Sequence, residues 1–140
     1  MKILYTTQAT ATGGREGSAK TADGVLDVKL STPKEMGGSG GDGTNPEQLF
    51  ACGYSACFLG ALKFVAGKEG VAIPADATVT GKVSFGPRDD GQGFGIEVEL
   101  IIKVPGLEAD KVKTLVDKAH IVCPYSDATR GNIPVTLTVA

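Results

Sequence analysis

The sequence predicts an α+β fold, and three observations lead to that prediction. Four segments alternate apolar and polar residues with period two, which indicates half-buried strands of antiparallel sheets. Two other segments repeat apolar residues every three or four positions, as helices with one buried face do. The chain has 140 residues and no linker rich enough to split it, so we expect a single domain over residues 1–140.

The alternating segments place the predicted strands. The first covers residues 26–30 and follows the turn signal Asp23-Gly24. Two longer strands, over 77–85 and 94–104, flank a loop of Gly, Pro and Asp residues that is typical of a hairpin. The last strand covers 133–139.

A dense start signal opens the first predicted helix. Asn45 is a good N-cap, Pro46 suits the first helical position, and Thr44 with Glu47 fits a capping box. Apolar residues then recur at helical spacing: Phe50, Tyr54, Cys57, Phe58, Ala61, Leu62 and Val65.

Glycine and proline mark where the two predicted helices end. The first has a stop signal at Gly67 or Gly70. The second is predicted over 108–122, because Pro124 disfavours helical geometry at Cys123.

The first helix has no charged residue between Leu49 and Leu62. A helix that is apolar on all sides is expected to be buried on all sides. In so short a chain this indicates that a second subunit covers it, in a homodimer.

Charge and composition exclude several classes of partner. The formal charge is −2, the pI is about 5.4 and basic residues are scattered, so neither nucleic acid nor a membrane surface is an expected partner. We see neither a signal peptide nor a segment long and apolar enough to span a membrane. The three cysteines, Cys52, Cys57 and Cys123, form no disulfide framework, and we expect a cytoplasmic protein.

Three motif matches fail on their context. Residues 38–43 fit GxGxxG, but a dinucleotide site needs a strand directly before it and an acidic residue about 20 positions on, so a surface loop is favoured. Residues 123–126 match the CPYS site of glutaredoxins, where the cysteine opens a helix; here Cys123 closes one, at the end that favours a neutral thiol.

The third match that fails is a zinc site formed by the cysteines and His120. Cys52 and Cys57 lie roughly 140° apart around a helix and cannot face one metal ion. His120 is therefore interpreted as a partly buried or surface residue, and no metal or bound cofactor is expected.

Redox chemistry at Cys57 requires a cation from another element. Burial raises the pKa of a thiol, and Cys57 lies beyond the first turn of its helix, where the helix dipole acts. Glu47 lies where its carboxylate can hold an arginine, and that arginine would be the cation that stabilises the Cys57 thiolate. By composition alone an inert buried cysteine is favoured. The candidate cations are Arg15, Lys63, Arg88 and Arg130.

Several sequence blocks together resemble one family, the organic hydroperoxide resistance (Ohr) branch of the OsmC/Ohr proteins. The likeness extends over the whole chain, with the blocks in the family's order and spacing. They are TATGGR (10–15), VLDV (25–28), TNPEQLF (44–50), GYSACF (53–58), VCPYS (122–126) and ATRGN (128–132).

The resemblance implies a thiol-dependent peroxidase that reduces organic hydroperoxides, such as those of fatty acids, to alcohols. Cys57 matches the peroxidatic cysteine and Cys123 the resolving cysteine, while Arg15 and Glu47 match the pair that holds the thiolate. The family's reductant is a lipoylated protein rather than thioredoxin. Its fold is an intertwined homodimer, with antiparallel sheets wrapped around two central helices and two active sites at the subunit interface.

The resemblance does not assign a role to Cys52 or to three aromatic residues. Cys52 departs from the family pattern, where alanine is expected, and is interpreted as a bystander. Tyr54, Phe58 and Phe94 are candidate substrate-binding residues that favour alkyl hydroperoxides, with plain core packing as the alternative. Two other functions stay possible: a non-enzymatic binding domain with structural cysteines, and a broader OsmC-type peroxidase with other substrate and reductant preferences.

Overall fold

The predicted α+β class is confirmed in the computed structural model, which describes all 140 residues. The chain forms two three-stranded sheets and three α-helices. Its contacts group into two units, residues 1–49 and residues 50–140.

The first unit contains an antiparallel meander. Strand β1 (Ala9–Thr12) pairs with β2 (Ser18–Thr21), which pairs with β3 (Asp27–Lys29). A 3₁₀ turn, Gly14–Glu16, joins β1 to β2. Gly17 is needed where this turn ends, because a Cβ there would lie 1.7 Å from the Thr12 carbonyl oxygen. The backbone at the end of the turn that carries Arg15 therefore packs directly against the backbone of Thr12.

Helix α1 (Pro46–Lys68) begins as predicted, with one difference at its cap. The Asn45 side chain accepts a hydrogen bond of 2.9 Å from the Gln48 amide, which confirms Asn45 as the N-cap. The predicted capping box is wrong. Thr44 donates to the Gln48 side chain at 2.7 Å, and the Glu47 carboxylate binds elsewhere.

The second unit contains the other sheet. Strands β4 (Thr78–Pro87) and β5 (Phe94–Lys103) form the predicted antiparallel hairpin. Strand β6 (Val135–Val139) pairs with β5 in the parallel direction, so the expectation of purely antiparallel sheets is wrong. The chain between β5 and β6 forms helices, and a helical crossover returns the chain parallel to the strand it left.

That crossover consists of two helices where the sequence predicts one. Helix α2 (Ala109–Val122) ends as predicted before Cys123. Helix α3 (Pro124–Thr129) follows at once, with Pro124 in its first turn. Cys123 therefore ends α2 and also begins α3, so the argument that it lies only at the negative end of a helix is wrong.

Helix α1, the sheet of β4–β6 and helix α2 enclose the core. One face of α1 contributes Tyr54, Phe58 and Leu62, all without solvent-exposed area. Other buried residues come from β5 and α2: Val98, Leu100, Ile102, Val112, Leu115, Val116 and Ala119.

The other face of α1 is open in the single chain. Cys52, Ala56 and Gly60 are exposed, and Phe64 is 56% exposed. One chain alone therefore does not bury this helix on all sides. The helix is also long and apolar enough to cross a membrane by length and composition, so the expectation that no segment reaches that threshold is wrong. Because its other face packs in the core, we interpret it as a core helix.

Candidate functional site

Two sulfur atoms from distant parts of the chain meet in the second unit. Cys57 Sγ on α1 and Cys123 Sγ at the α2–α3 junction lie 3.4 Å apart, within hydrogen-bonding distance. Both cysteines are free thiols; Cys57 is half-buried and Cys123 is fully buried. Since a disulfide bond is about 2.05 Å long, the two sulfurs need to approach each other by only about 1.4 Å to form one.

The surroundings of Cys57 favour its neutral form. Burial raises the pKa of its thiol above the ordinary value, as the sequence predicts for this position. A hydrogen bond with the backbone of Tyr125 lowers this pKa, and the neighbouring Cys123 raises it. The Tyr125 amide lies in the first turn of α3, where backbone N–H groups have no partner inside the helix. This donor was not predicted, because Pro124 signals the end of α2 as well as the start of α3.

In the first unit, Arg15 and Glu47 form a bidentate ion pair. Arg15 Nη1 and Nη2 donate to Glu47 Oε2 and Oε1, each at 2.7 Å. The Glu47 side chain is 15% exposed and that of Arg15 is 35% exposed. The hydrogen bonds from Arg15 lower the pKa of the Glu47 carboxyl and raise that of the guanidinium. Two parallel bonds fix the plane of the guanidinium as well as its position.

The other candidate cations have different contacts. Arg88 binds Asp90 in the β4–β5 hairpin. Arg130 donates to the His120 carbonyl at 2.5 Å and pairs with Asp127 at 3.6 Å. From the sequence, Arg15 was one of four candidate cations, and Glu47 was the acid expected to hold an arginine. In the structure these two residues bind each other.

The three aromatic candidates have different environments. Tyr54 and Phe58 are fully buried beside the cysteines on α1, which makes them core residues in this chain. Phe94 is 68% exposed at the hairpin end of β5. Its ring stacks on Phe85 at 5.0 Å between centroids, and it makes no ring contact with Tyr54 or Phe58.

A buried polar cluster beside the sulfur pair was not predicted. The Tyr54 hydroxyl lies 2.9 Å from Ser126 Oγ and 3.2 Å from Thr129 Oγ1. His120 Nδ1 lies 2.8 Å from the same Ser126 oxygen. Burial lowers the pKa of the His120 imidazole, and the charge of Arg130 lowers it further. His120 is half-buried, as predicted, but it is a member of this cluster.

Comparison with known proteins places this chain in a family. The family described as OsmC-like protein matches residues 38–138. The chain is 60% identical over 139 residues to the organic hydroperoxide resistance protein of Xanthomonas axonopodis pv. citri (strain 306), covering 99% of this chain and 96% of that one. The chain belongs to the organic hydroperoxide resistance branch of the OsmC family.

Solved structures of this branch have the same fold. The organic hydroperoxide resistance protein from Elizabethkingia anophelis, with thiocyanate bound, superposes with a TM-score of 0.93 at 51% identity, covering 100% of this chain and 99% of that one. The putative Ohr protein of Vibrio cholerae O1 biovar eltor str. N16961, with captopril in one of its active sites, gives a TM-score of 0.92 at 49% identity, covering 99% and 94%.

Cys52 is the third thiol of the chain and lies apart from the other two. It is exposed on the open face of α1, whereas Cys57 and Cys123 face each other. Because Cys52 does not face the sulfur pair, it serves as an internal reference in the experiments below, in which the thiols are counted after the chain has been unfolded.

Proposed function

We propose that this protein is a thiol-dependent peroxidase that reduces organic hydroperoxides to alcohols, in defence against oxidative stress. The observation that carries the proposal is the 3.4 Å separation of two free sulfurs, one half-buried and one buried. A pair in this geometry is suited to reversible disulfide formation. The names of the relatives, which refer to resistance to organic hydroperoxides, support the choice of substrate class.

The proposed reaction has two chemical steps. The Cys57 thiolate attacks the distal oxygen of the hydroperoxide, the O–O bond breaks, and the alkoxide takes a proton and leaves as the alcohol. Cys57 is then a sulfenic acid. The Cys123 sulfur attacks the Cys57 sulfur, the hydroxyl leaves as water with the Cys123 proton, and a disulfide forms. This second step protects Cys57 from irreversible oxidation.

Arg15 supplies the cation that the first step requires. Burial holds Cys57 as a neutral thiol, and only a nearby positive charge offsets that effect strongly. The guanidinium stabilises the sulfur anion and the developing alkoxide, and Glu47 fixes its orientation.

The Arg15–Glu47 pair acts across the interface of a homodimer. Glu47 lies ten residues before Cys57 on α1, about 15 Å along the helix axis. Helical side chains lean toward the N-terminus, so the carboxylate extends away from Cys57 of its own chain. The open apolar face of α1 supports the presence of a second subunit. We therefore place the pair over Cys57 of the partner subunit.

An external dithiol returns the oxidised enzyme to its starting state. A lipoyl group on another protein fits this role, because its two thiols become one disulfide as the Cys57–Cys123 bond is reduced. The enzyme itself holds no cofactor in this proposal. The reaction belongs in the cytoplasm, where such dithiols are kept reduced.

Apolar surroundings select the substrate. Phe58 belongs to the core against which Cys57 packs and keeps this side of the site apolar, whereas Tyr54 is fully buried and does not contact the substrate. Phe94, exposed on β5, contacts the substrate only if the partner subunit brings it to the site. An alkyl chain gains binding energy from such surroundings, whereas hydrogen peroxide has no apolar surface to bury.

Thiol titration before and after one equivalent of cumene hydroperoxide tests this function. We expect two of the three thiols to disappear and the exposed Cys52 to remain, with cumyl alcohol as the product. The Cys57→Ser variant, as control, retains both of its thiols and the peroxide. If the wild-type chain also keeps all its thiols, the protein is a binding domain with structural cysteines.

A further inference from the structure

The polar cluster forms a second link between the two segments that carry the cysteines. Tyr54 lies three residues before Cys57 on α1, and Ser126 lies three residues after Cys123 in α3. On α1 residues at this spacing are surface neighbours, and the cap residue Cys123 lies next to the third residue of α3. The Cys57–Cys123 contact and the Tyr54–Ser126 hydrogen bond, 2.9 Å long, are therefore adjacent links between the same elements.

The hydrogen bonds of the cluster have one consistent direction. The Thr129 hydroxyl donates to the Tyr125 carbonyl at 2.9 Å, so its oxygen accepts from the Tyr54 hydroxyl. Ser126 then donates to Tyr54 and accepts from His120 Nδ1–H. Tyr54 and Ser126 are fully buried, and no buried side-chain polar atom in the chain lacks a partner. A buried network satisfied in this way is rigid.

We propose that Tyr54 and Ser126 are positioning residues for the resolving cysteine, an inference that rests on the proposed peroxidase function. Neither side chain contacts the peroxide in this scheme. Their hydrogen bond holds the start of α3 against α1, so that the Cys123 sulfur remains close to Cys57 after Cys57 has become a sulfenic acid. His120 and Thr129 hold the two hydroxyl groups in place.

The inference assigns the cluster to one chemical step only. Formation of the sulfenic acid involves Cys57 and the peroxide, and does not require Cys123. Formation of the disulfide needs the Cys123 sulfur to reach the Cys57 sulfur as water leaves. Loss of the Tyr54–Ser126 bond therefore slows the second step and leaves the first unchanged, and more Cys57 is oxidised to sulfinic acid when peroxide is in excess.

The experiment uses the full-length variants Tyr54→Phe and Ser126→Ala. Each reduced protein is mixed with one equivalent of cumene hydroperoxide and quenched over time with dimedone, which traps sulfenic acid. Intact mass then separates the dimedone adduct from the disulfide. We expect sulfenic acid to form at the wild-type rate and disulfide to form about fivefold more slowly, the effect of one lost hydrogen bond. Tyr54→Phe removes a single oxygen and keeps the ring that packs in the core.

The control is Val112→Ala, which truncates a buried side chain of α2 outside the cluster. Disulfide formation at the wild-type rate in both cluster variants would overturn the inference. Equal slowing in the control would overturn it as well, since a general loss of stability then explains the effect. A slower first step in the variants would mean that the cluster acts on Cys57. Absence of both sulfenic acid and disulfide in the wild-type chain, with the peroxide left unconsumed, would instead refute the proposed peroxidase function.

Discussion

Glu47 shows how one side chain can satisfy a local pattern and still have a different role. Its position after Thr44 fits a capping box, but its carboxylate binds Arg15, 32 residues earlier in the chain. Two charge-assisted hydrogen bonds to a guanidinium are stronger than one bond to a backbone amide. The N-cap is provided by Asn45 alone.

The ion pair predicts a pH-dependent contribution of Glu47 to stability. Its carboxyl pKa is lower in the folded chain than in the unfolded one, so the contribution is complete above the unfolded pKa and is lost as the pH falls through the folded pKa. In urea unfolding at about pH 7, we expect Glu47→Gln to be less stable than wild type by about 1 kcal/mol. The difference should shrink on acidification to about pH 3, below the unfolded pKa. A difference that stays constant between the two pH values would contradict this account.

At the scale of elements, the fit of β4 against α1 depends on Gly81. A Cβ at this position would lie 2.7 Å from Ser55 Oγ and 3.0 Å from the Ala51 carbonyl oxygen, and the carbonyl cannot move without the helix. We expect Gly81→Ala to reduce the free energy of unfolding by about 1–3 kcal/mol. Gly86→Ala is the matched control on the same strand, since a Cβ there meets no atom within 4 Å. Equal unfolding free energies for the two variants would show that the close approach is not needed.

Local signals predicted most of the elements. The apolar periodicity of α1 and α2 lies within each helix, the Asn45 cap lies directly before α1, and the β4–β5 hairpin depends on its own loop. The parallel pairing of β6 depends on where two helices return the chain, which no local pattern contains. Helix α3 did have a local signal, Pro124 at its first position, but the same proline also ends α2.

At the scale of the whole molecule, the sequence named the residues of the candidate site but did not predict how the folded chain pairs them. The resemblance to Ohr proteins named Cys57, Cys123, Arg15 and Glu47, and the structure brings them together as two pairs. The Tyr54–Ser126 bond joins residues 72 positions apart, and both residue types are common in ordinary cores and turns. Its position beside the sulfurs is a property of the folded chain only.

Mixed dimers test whether Arg15 acts on the partner subunit. Cys57→Ser chains and Arg15→Ala chains are each expected to have little peroxidase activity alone. Co-expressed in equal amounts, half of their dimers are mixed, and each mixed dimer has one complete site if the pair acts across the interface. We expect about a quarter of the wild-type activity per chain. Activity no higher than the mean of the two parent variants would place Arg15 and Cys57 of one site in the same chain.

Peptide mapping after mild oxidation tests the central claim most directly. The reduced chain is treated with one equivalent of cumene hydroperoxide, its remaining thiols are alkylated, and its peptides are identified by mass spectrometry. The account predicts a Cys57–Cys123 crosslink together with alkylated Cys52, and the same crosslink in a Cys52→Ala variant. Peroxide consumption with both Cys57 and Cys123 recovered as alkylated thiols, or a crosslink that includes Cys52, would contradict it.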